Sequence, residues 1–227
     1  MGAHRGFSYV SMYSYCVLCG KKIMSKKSVF YTIFFVVLAV GFYFVLTKVI
    51  PGYGKKRSPT ISYVRSFAFT NQDGQKVTNE DVKGKVYVAE YFYTTCVGIC
   101  PRMNNNMKKV YEAFKGNKDF MILSHTSDPD NDSPEVLKKY ADSLGVDTKQ
   151  WVFLTGRKDS LYDMARVSYT IDDPKNNLKS LDDQFLHTQL WALVDKNGNV
   201  RKMTYDGILS KEVNELIEDA RELLKEK

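Results

Sequence analysis

An α/β domain of alternating strands and helices, preceded by a single transmembrane helix, is the architecture this sequence predicts. Three observations predict it. Between Lys27 and Lys48 lie 20 residues without a charge. From residue 62 onward, short apolar runs rich in β-branched and aromatic residues alternate with segments of helical period. Near the C-terminus, two further apolar runs flank Lys196-Asn197-Gly198-Asn199, a strong hairpin signal.

The uncharged run would form a helix of about 30 Å, the thickness of a bilayer core. It is longer than the apolar region of a signal peptide, no small-x-small cleavage site follows it, and no cysteine for lipid attachment lies just beyond. It is therefore expected to be a membrane anchor at 28–48, with a short tail at 1–27 and a linker at 49–61 containing Pro51, Gly52, Gly54 and Pro59. Met24 would make an alternative start. Basic residues flank the run on both sides, Lys26 and Lys27 before it and Lys55, Lys56 and Arg57 after it, so charge asymmetry does not set its orientation. Residues 1–50 hold six of the 33 basic residues and no acid, which leaves 27 basic against 26 acidic residues in 51–227. The positive excess thus suits an anionic lipid surface, and nucleic acid is not an expected partner. In the tail, Cys16 and Cys19 have zinc-knuckle spacing but no second ligand pair, so no metal site is assigned there.

The folded domain is expected over 62–227. Residues 67–70 and 76–78, joined through Asp73-Gly74, predict an N-terminal β-hairpin leading into the first core strand. That strand, 86–93, is apolar and aromatic throughout, as in a strand buried on both faces. Pro101 suits the first turn of a helix whose inner face would be Met103, Met107, Val110, Tyr111 and Phe114. A strand at 120–123 and a turn at 128–131 precede a helix with Ser133 as N-cap and Gly145 at its end, with Leu137 and Ala141 facing inward. A strand at 151–154, a helix at 159–167, the hairpin strands 189–194 and 200–204, and a helix at 210–224 complete the series. Strand-helix repeats that end in an antiparallel hairpin and a helix match the thioredoxin-like order.

The chemistry is concentrated in Thr94-Thr95-Cys96-Val97-Gly98-Ile99-Cys100-Pro101. Thiols at the start of a helix are favoured as thiolates by free backbone N–H groups and the positive end of the helix dipole. Spacing alone leaves three roles open for Cys96 and Cys100: structural disulfide, redox couple, or two thiolate ligands. In a thioredoxin-like topology the turn before the late hairpin packs beside the cysteine loop, which would bring His187 near the sulfurs. Two thiolates and an imidazole suit Cu(I) or Cu(II), and zinc would accept the same donors with water in the fourth place. Four other residues carry expectations: His125 as a satisfied strand-end residue, Met103 in core packing, Glu90 as a buried acid, and Asp128 shaping its turn.

The cysteine motif, followed by Asp128-Pro129-Asp130-Asn131-Asp132-Ser133-Pro134, Phe153-Leu154-Thr155-Gly156 and Phe185-Leu186-His187-Thr188, resembles the Sco/SenC family of copper chaperones over about residues 62–222. The resemblance implies a membrane-tethered thioredoxin-like domain that binds one Cu(I) or Cu(II) ion through Cys96, Cys100 and His187. It implies a role in assembling the CuA centre of cytochrome c oxidase. The expected partners are the CuA-bearing oxidase subunit, a copper donor protein and a thiol reductant, with the domain outside the cytoplasm of a bacterial inner membrane. If the chain instead reduces the oxidase cysteines, Cys96 and Cys100 are catalytic. Two departures stand out: many members have Pro where this chain has Val97, and an acid where it has Leu186.

Overall fold

The computed structural model describes residues 25–49, 59–172, 186 and 188–226. The tail cysteines, most of the linker and His187 lie outside them. Contacts divide the chain into two compact units, residues 1–57 and 58–227.

In the first unit, helix α1 (Lys26–Val49) begins two residues before the expected anchor. Over Lys26–Leu46 it is long and apolar enough to cross a membrane. Its apolar side chains, Phe30, Phe34, Val37 and Phe44 among them, are exposed on all sides. A helix apolar all round suits lipid rather than one face of a globular core.

The second unit is built on one eight-stranded sheet. Its strands are β1 (Thr60–Tyr63), β2 (Ala68–Asn71), β3 (Lys76–Thr78), β4 (Val86–Phe92), β5 (Phe120–Thr126), β6 (Trp151–Thr155), β7 (Leu190–Val194) and β8 (Asn199–Asp206). They are ordered β1-β8-β7-β4-β5-β6-β2-β3. β4, β5 and β6 are parallel, while β7 and β8 add as an antiparallel hairpin beside β4. This is the thioredoxin-like arrangement expected. β1 starts at Thr60, inside the residues assigned to the linker, and pairs with β8. The expected β2–β3 hairpin also forms, at the far edge of the sheet, where β2 pairs with β6. The short helix α2 (Asn79–Val82) lies between that hairpin and β4 in the chain.

Three further helices, α3 (Cys100–Phe114), α4 (Pro134–Leu144) and α6 (Ser210–Lys225), supply apolar residues to one face of the sheet. Their buried residues include the expected Met103, Met107, Val110, Leu137 and Ala141, and on α6 Val213 and Leu216. The Ser133 hydroxyl caps α4 by accepting from Val136 N, and Gly145, at φ 66°, ends it in the left-handed conformation. On the other face lies α5 (Lys158–Asp163), which continues as a π-turn over Met164–Ser168 instead of the single helix expected. The amide of Tyr169 bonds to Met164 O and that of Ile171 to Ala165 O, so the last turn is widened.

Two indole rings fill the first face, Trp151 on β6 and Trp191 on β7, both fully buried. Gly207 follows β8, where a Cβ would meet Cε2 of Trp191 at 2.4 Å. The ring cannot retreat into an already packed layer. Gly207→Ala is therefore expected to lower stability by about 1–3 kcal/mol, read as a lower urea midpoint with an unchanged slope.

Candidate metal centre

β4 is buried along its whole length and stops at Phe92, so the loop that follows must turn the chain and satisfy its polar groups within a few residues. Cys96 N donates to Tyr93 O at 3.2 Å, and Arg102 N and Met103 N both donate to Ile99 O at 3.0 Å, which starts α3 at Cys100. The main brace comes from elsewhere in the chain. Asp132, 1% exposed, accepts from Thr94 N at 3.2 Å and from the hydroxyls of Thr94 and Thr126. It stands just before the N-cap of α4, where unpaired first-turn N–H groups favour an anion.

Cys96 and Cys100 are both free thiols, the first half-buried and the second buried. Burial opposes ionisation at Cys96, but hydrogen bonds from the Cys100 thiol and N–H, the Tyr93 hydroxyl and Gly98 N–H outweigh it, and its pKa falls below the ordinary thiol value. At Cys100, burial and the hydrogen bond it gives to Cys96 push the thiol up to about 12, with the charges of Cys96 and Glu90 adding to the effect. The pair thus divides into one thiolate-prone sulfur and one proton-holding sulfur.

The sulfurs open into a cleft of about 240 Å³ at the carboxyl end of β4. Tyr93, Gly98 and Ile99 line it on the cysteine side, and Ser127, Leu186 and Thr188 complete it. Leu186 and Thr188 bracket position 187 in the sequence. Among the described residues no group of three or more His, Cys, Asp or Glu side chains could hold a metal ion. The two thiols alone would suit Cu(I), and a third donor would have to come from outside those residues.

The SCO1/SenC family pattern matches residues 55–225. The chain belongs to that family. The SCO1 protein homolog of Bacillus subtilis (strain 168) is 33% identical over 173 residues, covering 74% of this chain and 86% of its own. The structure of a SCO1/SenC family lipoprotein from Bacillus anthracis str. Ames is 33% identical, with TM-score 0.62, over 73% of this chain and 98% of its own. A structure of BsSco, described as having a disulfide switch and as a member of the Sco family of cytochrome c oxidase assembly proteins, is 31% identical. Its TM-score is 0.64, over 76% of this chain and all of its own.

The two positions singled out in the sequence as departures fall in contrasting places. Val97 is almost fully exposed at the loop tip, whereas Leu186 is buried in the core on the far face of the sheet and lines the cleft. Glu90 is buried on the α3 face of β4, where Ser124 Oγ donates to its Oε1 at 2.6 Å and Trp151 Nε1 donates to Ser124 Oγ at 2.7 Å. Among the described residues its Oε2 has no hydrogen-bond partner, and the Trp191 N–H nearby misses hydrogen-bond geometry while still favouring the charged form. Burial dominates and raises Glu90 to about 7.

His125 lies on the opposite face, stacked on Tyr91 at 5.1 Å with its Nε2 3.2 Å from the Tyr169 hydroxyl. Burial lowers its pKa to about 3, so it stays neutral, and it is absent from the cysteine cleft. Met103 packs in the core, and Asp128 closes its turn by accepting from Asn131 and Asp132. Sequence reasoning missed Asp132, Tyr93 and Ser127 as parts of the site. The Asp128-to-Pro134 motif was visible, but nothing in spacing tells which of its acids turns inward.

Two measurements check these electrostatics. In a Cys16→Ser/Cys19→Ser background, brief iodoacetamide treatment at neutral pH should label Cys96 well before Cys100; equal labelling would contradict the divided acidities. Glu90 holds a proton in the folded state between its ordinary pKa near 4.5 and about 7, where the unfolded chain has lost it. Its contribution to stability is therefore full at the acid end of that window and lost towards pH 7, by at most roughly 1.4 kcal/mol per pH unit. Glu90→Gln should flatten that part of the stability–pH profile measured by urea unfolding.

Proposed function

We propose that this chain is a membrane-anchored copper metallochaperone that serves assembly of the CuA centre of cytochrome c oxidase. Cys96 and Cys100 take Cu(I), and His187 joins them as third ligand to make Cu(II) tolerable, one ion per domain. The observation that carries the reading is the pair of free thiols of unequal acidity in a cleft that is also lined by the two residues on either side of position 187. Both sulfurs must be thiolates to hold the metal, so loading displaces the Cys100 proton, and oxidation to a disulfide would block loading. Copper is passed on by ligand exchange with the CuA-bearing subunit, after delivery from a donor protein and with a thiol reductant keeping the pair open.

Family membership supports this reading, as does the description of BsSco as an oxidase assembly protein. The helix α1 is the anchor in this proposal. The Bacillus anthracis relative is described as a lipoprotein, whereas this chain has no cysteine between Cys19 and Cys96 to carry a lipid after the apolar run. The domain then sits outside the cytoplasm of a bacterial inner membrane.

A second reading is favoured by the divided acidities themselves. A thiolate-prone Cys96 beside a proton-holding Cys100 is also the equipment of a thiol-disulfide oxidoreductase that would reduce the oxidase cysteines before copper arrives. His187 separates the two. His187→Ala should weaken Cu(II) binding by at least roughly tenfold and change its paramagnetic resonance spectrum, with oxidase assembly impaired. Intact assembly in that variant would favour the reductase, and an unchanged Cu(II) spectrum would remove His187 from the ligand set.

A further inference from the structure

The chain between the π-turn and β7 leaves and returns to one small platform. At its start, Asp172 pairs with the buried Arg166, Oδ2 to Nε at 2.8 Å. Near its end, Thr188 Oγ1 donates to Ile171 O at 2.8 Å, which ties the two ends together. Between them in space stands Tyr162 of α5, 1% exposed, with the Arg166 guanidinium 5.3 Å from its ring centroid. Its hydroxyl donates to Ser127 O at 2.9 Å and accepts from Leu186 N at 3.2 Å. Ser127 is itself held by Phe92, whose carbonyl accepts from both its N–H and its hydroxyl.

Ser127 and Leu186 are both walls of the cysteine cleft, so one phenol bridges them. Tyr162 does not line the cleft. We propose that Tyr162 is a positioning residue: its hydroxyl fixes the residue preceding position 187 to the end of the β4–β5 pair, and so presets the approach of a third copper ligand to the two thiols. The inference rests on the reading of His187 as that ligand. Cu(I) is satisfied by two thiolates, whereas Cu(II) needs the added imidazole, so the phenol acts on one oxidation state and not on the other. A tyrosine hydroxyl that only filled space would make no such distinction.

The test is Tyr162→Phe, which keeps the ring, its packing and its contact with Arg166 while removing the hydroxyl and with it the hydrogen bonds to Ser127 and Leu186. It uses the full chain in detergent, in the Cys16→Ser/Cys19→Ser background so that tail thiols do not compete for copper, with His187→Ala measured alongside. Cu(II) affinity by competition titration should fall about tenfold, in line with two lost buried hydrogen bonds, and the Cu(II) resonance spectrum should broaden or shift. Cu(I) affinity should stay within about threefold, and amide exchange at Leu186 should quicken. Cu(II) binding unchanged in Tyr162→Phe but weakened in His187→Ala would overturn the positioning role and leave the ligand set standing. Cu(II) binding unchanged in His187→Ala would overturn both. An equal fall in Cu(I) and Cu(II) affinity would assign Tyr162 to general folding and overturn the proposal.

Discussion

The thiol loop depends on one buried carboxylate. Asp132 receives a backbone N–H and a hydroxyl from Thr94, just past β4, and a hydroxyl from Thr126, the last residue of β5. Hydrogen bonds to a charged acceptor contribute about 1.5–3 kcal/mol each, and a buried charge without them costs several kcal/mol. The carboxylate and its donors are thus mutually necessary. Two parallel strands are locked together at their carboxyl ends, and the cysteine loop has a fixed departure point. Pro101 then has no N–H that needs an acceptor at the first turn of α3, so the chain enters the helix directly from the second cysteine.

From that fixed point the sheet separates two chemistries. Because side chains alternate along β4, Glu90 faces α3 and the Trp151–Ser124 relay, while Tyr91 faces the aromatic stack around His125. Burial acts on both ionisable groups in the same way, by disfavouring charge, with opposite shifts: the pKa of the acid rises and that of the imidazole falls. Of the two, it is Glu90 whose charge acts on Cys100. The cleft lies at the edge where the two faces meet, with Cys100 belonging to the core on one side and Leu186 to the core on the other.

The periodicities that made the fold legible are those with a local cause. The inward face of α3, the Ser133 cap and Gly145 stop of α4, and the Asn197-Gly198 hairpin each express an interaction within a few residues. What escaped sequence reasoning depends on distant partners. β1 is short and exposed, and exists through pairing with β8, far along the chain. The π-turn has no composition of its own and needs the buried Arg166–Asp172 pair to make sense. The cysteines were evident because their chemistry is unusual for their place before a helix. Asp132 was hidden because an acid before a helix N-cap is ordinary, and only its contact with a threonine 38 residues earlier gives it a role.

The divided acidity of the thiols bears on how metal and electrons can share one site. In the proposed site a thiolate at Cys96 would receive copper or attack a disulfide, and the second sulfur would join only when its proton leaves, which burial makes costly. A copper ion held by both sulfurs would offset that cost, because its positive charge would compensate both thiolates in a medium where uncompensated charge is disfavoured. An incoming disulfide reaches the same end by a different route, since the first attack leaves a mixed disulfide and the second sulfur must lose its proton to close the pair. Both processes would therefore pass through deprotonation of Cys100, which burial opposes first and the charge of Glu90 opposes in addition.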